Sequence, residues 1–261
     1  MEDKSSEFLR QVQKNVRILG EDPELRKKSL DWMLSVSSGY YTYNFSFLGR
    51  PIIQYPQDMM AMQELIWSVK PDLIIETGIA HGGSLIMNAA LLAMIDYCEA
   101  VENGELLDTK KTDRCVVGID IDIRSHNRKA ILAHPMSNRI SMIEGSSIDP
   151  VVIAEVTNIA KKYNRVFVCL DSNHTHQHVL KELFAYSPLV SKGSYCVVFD
   201  TLIEDTPSGY IGDRPWGKGN NPKTAVWEFL KKNDRFEIDK NIENKLLITV
   251  APDGYLKCIK D

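Results

Sequence analysis

No two cysteines in this 261-residue chain have C-x-x-C spacing, and the five present (Cys98, Cys115, Cys169, Cys196, Cys258) are an odd number. That spacing argues against a zinc ribbon or a dithiol redox centre. Three of the thiols lie in apolar, strand-like runs, which reads as reduced, buried side chains of a cytoplasmic protein. No run of about 18 apolar residues occurs, and the N-terminus MEDKSSEFLRQVQKN mixes charges without an apolar segment, so neither a membrane span nor secretion is expected. Basic residues are not in excess: 31 Lys and Arg stand against 35 Asp and Glu, a formal charge of −4. Nucleic acid is therefore not the expected partner. The fingerprint G-x-G-x-x-G is also missing, which weighs against NAD(P)-dependent oxidoreduction.

What is present is hydrophobic patterning, 44% of the residues, enough for one large α/β domain with decoration. Residues 4–37 have helical spacing, with Phe8, Val12, Val16 and Ile18 on one side, and Leu25, Leu30, Trp32 and Leu34 after Pro23. Residues 38–56 hold four tyrosines and two phenylalanines among Gly and Pro breaks, an irregular connection or short strand pair. Residues 1–56 are thus expected to form a helical and aromatic annex to a domain spanning 57–261. Asp58 fits the N-cap of the next helix.

From there, short aliphatic runs alternate with amphipathic helices. Strands are expected at 73–76, 115–120, 140–143, 166–170 and 195–199, with helices at 83–97, 125–133, 149–162, 177–185 and 222–232. This specifies a doubly wound, mostly parallel sheet with helices on both faces. Runs at 235–238, 246–250 and 255–259 suggest an antiparallel edge hairpin completing seven strands. The charged stretch 99–114 reads as a surface insertion.

Ligands of such sheets bind outside the carboxyl ends of the strands, so the polar residues there are the candidates. The first end carries Glu76, Gly78, Gly82, Gly83 and Ser84 before an apolar helix. Glycines permit a sharp turn and close backbone approach to a ligand, and a carboxylate suits a positively charged one. The second end presents Asp120, placed to accept hydrogen bonds from ribose hydroxyls, and Asp122, more simply an exposed cap. At the third, Gly145, Ser146 and Ser147 are small enough to admit a planar base, and Asp149 caps the next helix. The fourth and fifth carry Asp171-Ser172-Asn173-His174-Thr175-His176-Gln177-His178 and Phe199-Asp200-Thr201. Side-by-side Asp171 and Asp200 make a hard-oxygen site suited to Mg²⁺ or Mn²⁺. A zinc site on the three histidines is weaker, because alternate residues diverge on a starting helix. A histidine three residues beyond Asp171 is suited to accept a proton. Polar capping of the first turn is the simpler reading of the same stretch.

Taken in order, QYPQDM, IETGIAHGGSLIM, GIDIDIR, LDSNHTHQHVLKEL, GSYCVVFDT and DRPWGKGNNPKTAVWEFL resemble class I S-adenosylmethionine (SAM)-dependent methyltransferases. The closer resemblance is to the family labelled cephalosporin hydroxylases, which includes the cephamycin-biosynthesis methyltransferase and rhamnosyl O-methyltransferases. It covers roughly residues 50–235. The resemblance implies a Rossmann-like sheet, SAM over the first two strand ends, and a divalent cation near the acceptor hydroxyl. It places Glu76, Gly78 and Ser84 on the cofactor loop, Asp120 at the ribose, and Asp171 and Asp200 on the metal. Where that family commonly has Glu-Asp, this chain has Phe199-Asp200, one carboxylate fewer for a cation.

The expected chemistry is O-methyl transfer to a hydroxyl of a sugar or other natural product. Asp171 and Asp200 hold the cation and His174 takes the proton. Gly82, Ser147 and Asp171 are added to the cofactor contacts, and His176, Thr201 and Trp216 to the acceptor side, under a Gly/Pro-rich lid at 201–221. The alternatives are a nicotinamide oxidoreductase and a non-catalytic cofactor-binding or scaffold protein, the latter motivated by Phe199. The aromatic annex leaves room for a homo-oligomer of unspecified symmetry.

Overall fold

The computed structural model describes residues 4–261. It opens with α1 (Lys4–Gly20) and α2 (Pro23–Ser37), divided at Asp22. The Asp22 carboxylate accepts the Leu25 amide proton at 2.9 Å, and Pro23 begins α2 where no amide is needed. The aromatic segment then forms a 3₁₀ turn at Tyr41–Asn44 and an antiparallel pair, β1 (Phe45–Phe47) and β2 (Arg50–Ile52). Tyr41 gathers the rings: Trp32 meets it edge-on at 5.2 Å, Phe45 at 5.1 Å, and Tyr55 lies 5.7 Å away. Of the expected apolar stripe on α1, Phe8 and Ile18 stay exposed.

Next come α3 (Pro56–Val69), β3 (Leu73–Thr77), α4 (Gly83–Asn103), β4 (Cys115–Asp120), α5 (Ser125–Leu132) and β5 (Ile140–Glu144). These are followed by α6 (Pro150–Ala160), β6 (Val166–Leu170), α7 (His176–Tyr186), β7 (Tyr195–Val198), α8 (Pro222–Lys232), β8 (Phe236–Ile238), α9 (Lys240–Leu246) and β9 (Tyr255–Cys258). One seven-stranded sheet runs β5-β4-β3-β6-β7-β9-β8. The first five strands are parallel; β9 is antiparallel to both β7 and β8. The doubly wound expectation holds. The edge differs in one respect: 246–250 is not a strand, because α9 takes up the connection and the chain turns irregularly before β9.

Period-2 alternation assigns the strand side chains to two cores. Ile74, Val116, Phe167 and Val197 pack beneath α3 and α4; Ile75, Val117, Val168 and Val198 pack beneath α6, α7 and α8. By length and composition α4 alone among the described helices is apolar enough to cross a membrane. Here Leu85, Ile86, Leu92 and Ile95 bury it against the sheet instead. The stretch after α4 is less superficial than its charge suggests. Arg114 is buried with Asp96 and Glu99, and Arg139 bridges the same Asp96 at 2.5 Å.

Asp58 is not a cap. Tyr55 caps α3, and Asp58 points inward from its first turn with no exposed surface. It accepts hydrogen bonds from the Thr249 hydroxyl, the Val250 amide (3.0 Å) and the Tyr255 hydroxyl (2.7 Å), so one carboxylate ties α3 to the final strand and the loop before it. Burial raises its pKa to about 6, against the lowering effect of those three donors. Asp58→Ala leaves three buried donors unpaired and is expected to cost about 3 kcal/mol in urea unfolding, at roughly 1 kcal/mol or more each. Asp58→Asn, which keeps two acceptor lone pairs, should cost clearly less; equal losses would mean that cavity size, not hydrogen bonding, sets the effect.

Candidate active site

The strand order reverses between β3 and β6, since α4 leaves β3 toward one face and α7 leaves β6 toward the other. A crevice opens there. Gly78 follows β3 with φ +90°, and a Cβ on it would lie 2.1 Å from the carbonyl oxygen of Asp171, so only glycine fits. The loop beyond is braced from outside. Asp120 accepts from the amides of Ile79 (2.8 Å) and Ala80 (3.3 Å), Asn127 donates to the Ala80 carbonyl at 2.9 Å, and Arg50 donates to the His81 carbonyl at 3.1 Å. Ala80 itself is left-handed (φ +46°), a conformation held by this surrounding network. The result is a cleft of 280 Å³ walled by Thr42, Tyr43, Gln54, Gly78, Ser84 and Asp120, among others, and floored by Asp171, His174 and Asp200.

Asp171, His174 and Asp200 each offer a ligand atom, all within 4.8 Å of one another. Simple alternation does not deliver this. In the β6–β7 register Leu170 pairs with Val198, so Phe199 stands opposite Asp171. Asp200 joins because its backbone is left-handed (φ +56°), which turns the side chain back toward the cleft. His174 Nε2 lies 3.2 Å from Asp200 Oδ2, and the Trp216 ring from the 206–221 loop covers the imidazole edge-on at 4.9 Å. Gln54 Nε2 donates to Asp171 Oδ2 at 3.4 Å. Burial holds the Asp171 carboxyl well above the usual range, and the charges of Asp200, Glu76, Glu182 and Asp58 push it the same way. The two carboxylates, Asp171 and Asp200, repel each other and fit a divalent cation such as Mg²⁺ or Mn²⁺, with the His174 imidazole beside them.

Beside this centre a second hollow of 110 Å³ shares Gly78, Asp120 and Ser172 with the cleft and continues to Ile119, Ile121, Ser146, Ser147 and His178. Apolar walls and small hydroxylated residues leave a slot for a flat ring.

A family model described as Rhamnosyl O-methyltransferase/CmcI matches residues 39–259. This chain belongs to that family. Within it, the rhamnosyl O-methyltransferase of Mycobacterium tuberculosis is 29% identical over 202 residues, covering 76% of this chain and 72% of its own length. The Mycobacterium leprae enzyme is 26% identical over 220 residues, covering 84% and 85%. In fold the chain is similar to a solved CmcI structure described as a Mg–SAM complex: TM-score 0.55, 17% identity, 84% of this chain and 78% of that one.

Several expected site residues of this family member converge on the cleft: Gly78, Ser84, Asp120, Asp171, His174 and Asp200 line it, and Ser147 lines the adjoining slot. Four lie elsewhere. Gly82 faces Ile131, and its left-handed turn (φ +80°) and close packing leave no room for a side chain. His176 turns to α8, with Nδ1 2.8 Å from Thr224 Oγ1 and Nε2 3.0 Å from Glu228. Thr201 is buried and donates to the Pro252 carbonyl at 2.6 Å. Glu76 shares the Ile74 face of β3 and so lies under α4, accepting from Ser84 and from Asn88 Nδ2 at 2.8 Å, in a narrow hollow that shares Gln54, Ser84 and Asp171 with the cleft. Two contributors were given no site role of their own in the sequence, although QYPQDM and the histidine run had been singled out. Gln54 sits in a loop with no periodic signal, and His178 had only its neighbouring histidines to draw notice. Phe199 is buried and lines a narrow hollow with Met59, Met62 and Met87.

Burial raises the Glu76 pKa from 4.5 to about 7, with Ser84 and Asn88 pulling it down only in part. A folded pKa above the unfolded one stabilises at low pH. The contribution is fully present below about pH 4.5 and is lost as pH rises through about 7. Unfolding free energy of the unliganded protein should therefore decline across that window, and Glu76→Gln should flatten the decline; an unchanged slope in the variant would remove Glu76 as its source.

Proposed function

We propose that this protein transfers the methyl group of SAM to a hydroxyl of a small molecule, with a sugar or other natural-product alcohol as acceptor. The observation that carries the reading is the Asp171–His174–Asp200 cluster, set beside a glycine loop at the reversal point of a methyltransferase sheet. Family membership and relatives named for rhamnosyl O-methylation support the sugar class.

Methyl transfer is an in-line displacement at a sulfonium, so the acceptor oxygen must be aligned with the methyl group and must lose its proton. Gly78 and Ser84 would receive the amino-acid end of SAM, Asp120 its ribose hydroxyls, and the Ser147 slot its base. Asp171 and Asp200 would hold Mg²⁺ or Mn²⁺, which lowers the pKa of a bound hydroxyl and orients it. His174 accepts the proton; the Asp200 carboxylate, 3.2 Å from Nε2, stabilises the imidazolium so formed. Trp216 and its loop exclude water above the imidazole.

Calorimetry with S-adenosylhomocysteine is the first test, with NAD⁺ as control: binding of the former alone is expected, and binding of NAD⁺ alone would end the proposal. His174→Ala should lower kcat by about 100-fold or more, the range of a lost general base, with the S-adenosylhomocysteine Kd nearly unchanged. Full turnover in that variant would remove the base assignment. Mg²⁺ should raise the unfolding temperature of the wild type and not of Asp200→Asn; equal shifts would place the cation elsewhere.

A further inference from the structure

The slot beside the cleft has a polar wall that methyl transfer itself does not use. Glu182, on α7, has no exposed surface, and its Oε1 accepts the Ser172 hydroxyl at 2.6 Å. The same Oε1 lies 3.6 Å from His178 Nε2, while Oε2 is buried without a partner. His178 Nε2 is 3.3 Å from Ser172 Oγ and 3.0 Å from Ser147 Oγ. Ser147 is fixed in turn by Tyr186, whose hydroxyl donates to the Ser147 carbonyl at 2.6 Å. Four side chains thus run in series from a buried carboxylate to the wall of the slot.

Proton counting sets the direction of this chain. A carboxylate accepts only, so the single hydroxyl hydrogen of Ser172 goes to Glu182. Ser172 Oγ then presents a lone pair to His178 Nε2, and that nitrogen must carry a hydrogen. The His178 N–H is shared between Ser172 and Ser147, so the Ser147 oxygen is already an acceptor and its own hydrogen is left over. The other acceptor near it, Ser172 Oγ at 3.5 Å, is at the outer limit of a hydrogen bond.

We propose that Glu182, acting through Ser172 and His178, sets Ser147 as a hydrogen-bond donor that reads an unprotonated ring nitrogen of the cofactor's base, as adenine presents at N1. This rests on the methyltransferase reading and adds a specificity device to it. Ser147 touches the base; His178 and Glu182 are positioning residues. The slot selects adenine over hypoxanthine, whose N1 carries a hydrogen and meets the Ser147 donor head-on.

The test compares S-adenosylhomocysteine with S-inosylhomocysteine by calorimetry. The wild type is expected to prefer the adenosyl compound by at least about tenfold, one hydrogen bond's worth with a clash avoided. Ser147→Ala and His178→Leu should erase most of that ratio, and His178→Gln, whose amide can still donate, should restore part of it. A merely structural role for His178 would weaken both ligands alike and leave the ratio intact, which overturns the proposal. Equal binding of both compounds by the wild type overturns it too while leaving the methyltransferase reading in place. Binding of neither would remove both together.

Discussion

The closeness of two chain segments at the centre of the sheet governs the rest of the molecule. The Asp171 carbonyl occupies the space that a side chain at position 78 would need, so the ends of β3 and β6 meet backbone to backbone. That contact brings the glycine loop, Asp120 and the Asp171 carboxylate around one cleft. A larger residue at 78 would separate the strand ends and, with them, the two halves of the site. Left-handed Ala80 and Asp200 are smaller payments of strain in the same neighbourhood, tolerated because packed strands and side-chain braces hold them.

The electrostatics of the centre follow from topology. Parallel strands end together, and four of them end here in or near acids: Glu76, Asp120, Asp171 and Asp200. Asp120 is compensated by backbone amides, but Asp171, with one long hydrogen bond from Gln54, is pressed by further carboxylates and by burial. The unliganded site is thus electrostatically strained in a way that a metal cation and a sulfonium ligand relieve. Phe199 moderates this by placing an apolar ring where another carboxylate would have added to the repulsion.

Much of this was legible in the residues. Alternating aliphatic runs specified the sheet, and the rule that ligands gather at carboxyl ends picked out Gly78, Asp120, Asp171 and Asp200. Two kinds of information were not legible. Backbone twists are one: nothing in Phe199-Asp200 announces the left-handed turn that brings Asp200 to Asp171. Side-chain direction on short segments is the other. His174, His176 and His178 alternate along one short stretch, yet they point respectively to the cleft, to α8 and to the adjoining slot, because a helix begins at His176 and rotates successive residues by about 100°. Asp58 and Thr201 were misjudged for a related reason, since capping and acceptor contact are local readings, whereas the partners of both residues come from residues 249–255, late in the chain.

The 206–221 loop is moored at several points, among them Trp216 over His174, Asn220 accepting the His176 amide at 3.0 Å, and Tyr210, whose hydroxyl donates to the Leu34 carbonyl of α2 at 3.0 Å. The N-terminal helices therefore help to hold the loop that covers His174. A homologue that lost α2 would retain its sheet and its carboxylates, but the loop would lose its Tyr210 anchor. With one anchor fewer, that loop would order the imidazole's surroundings less firmly, so a helix far from the sheet contributes to how closed the site is.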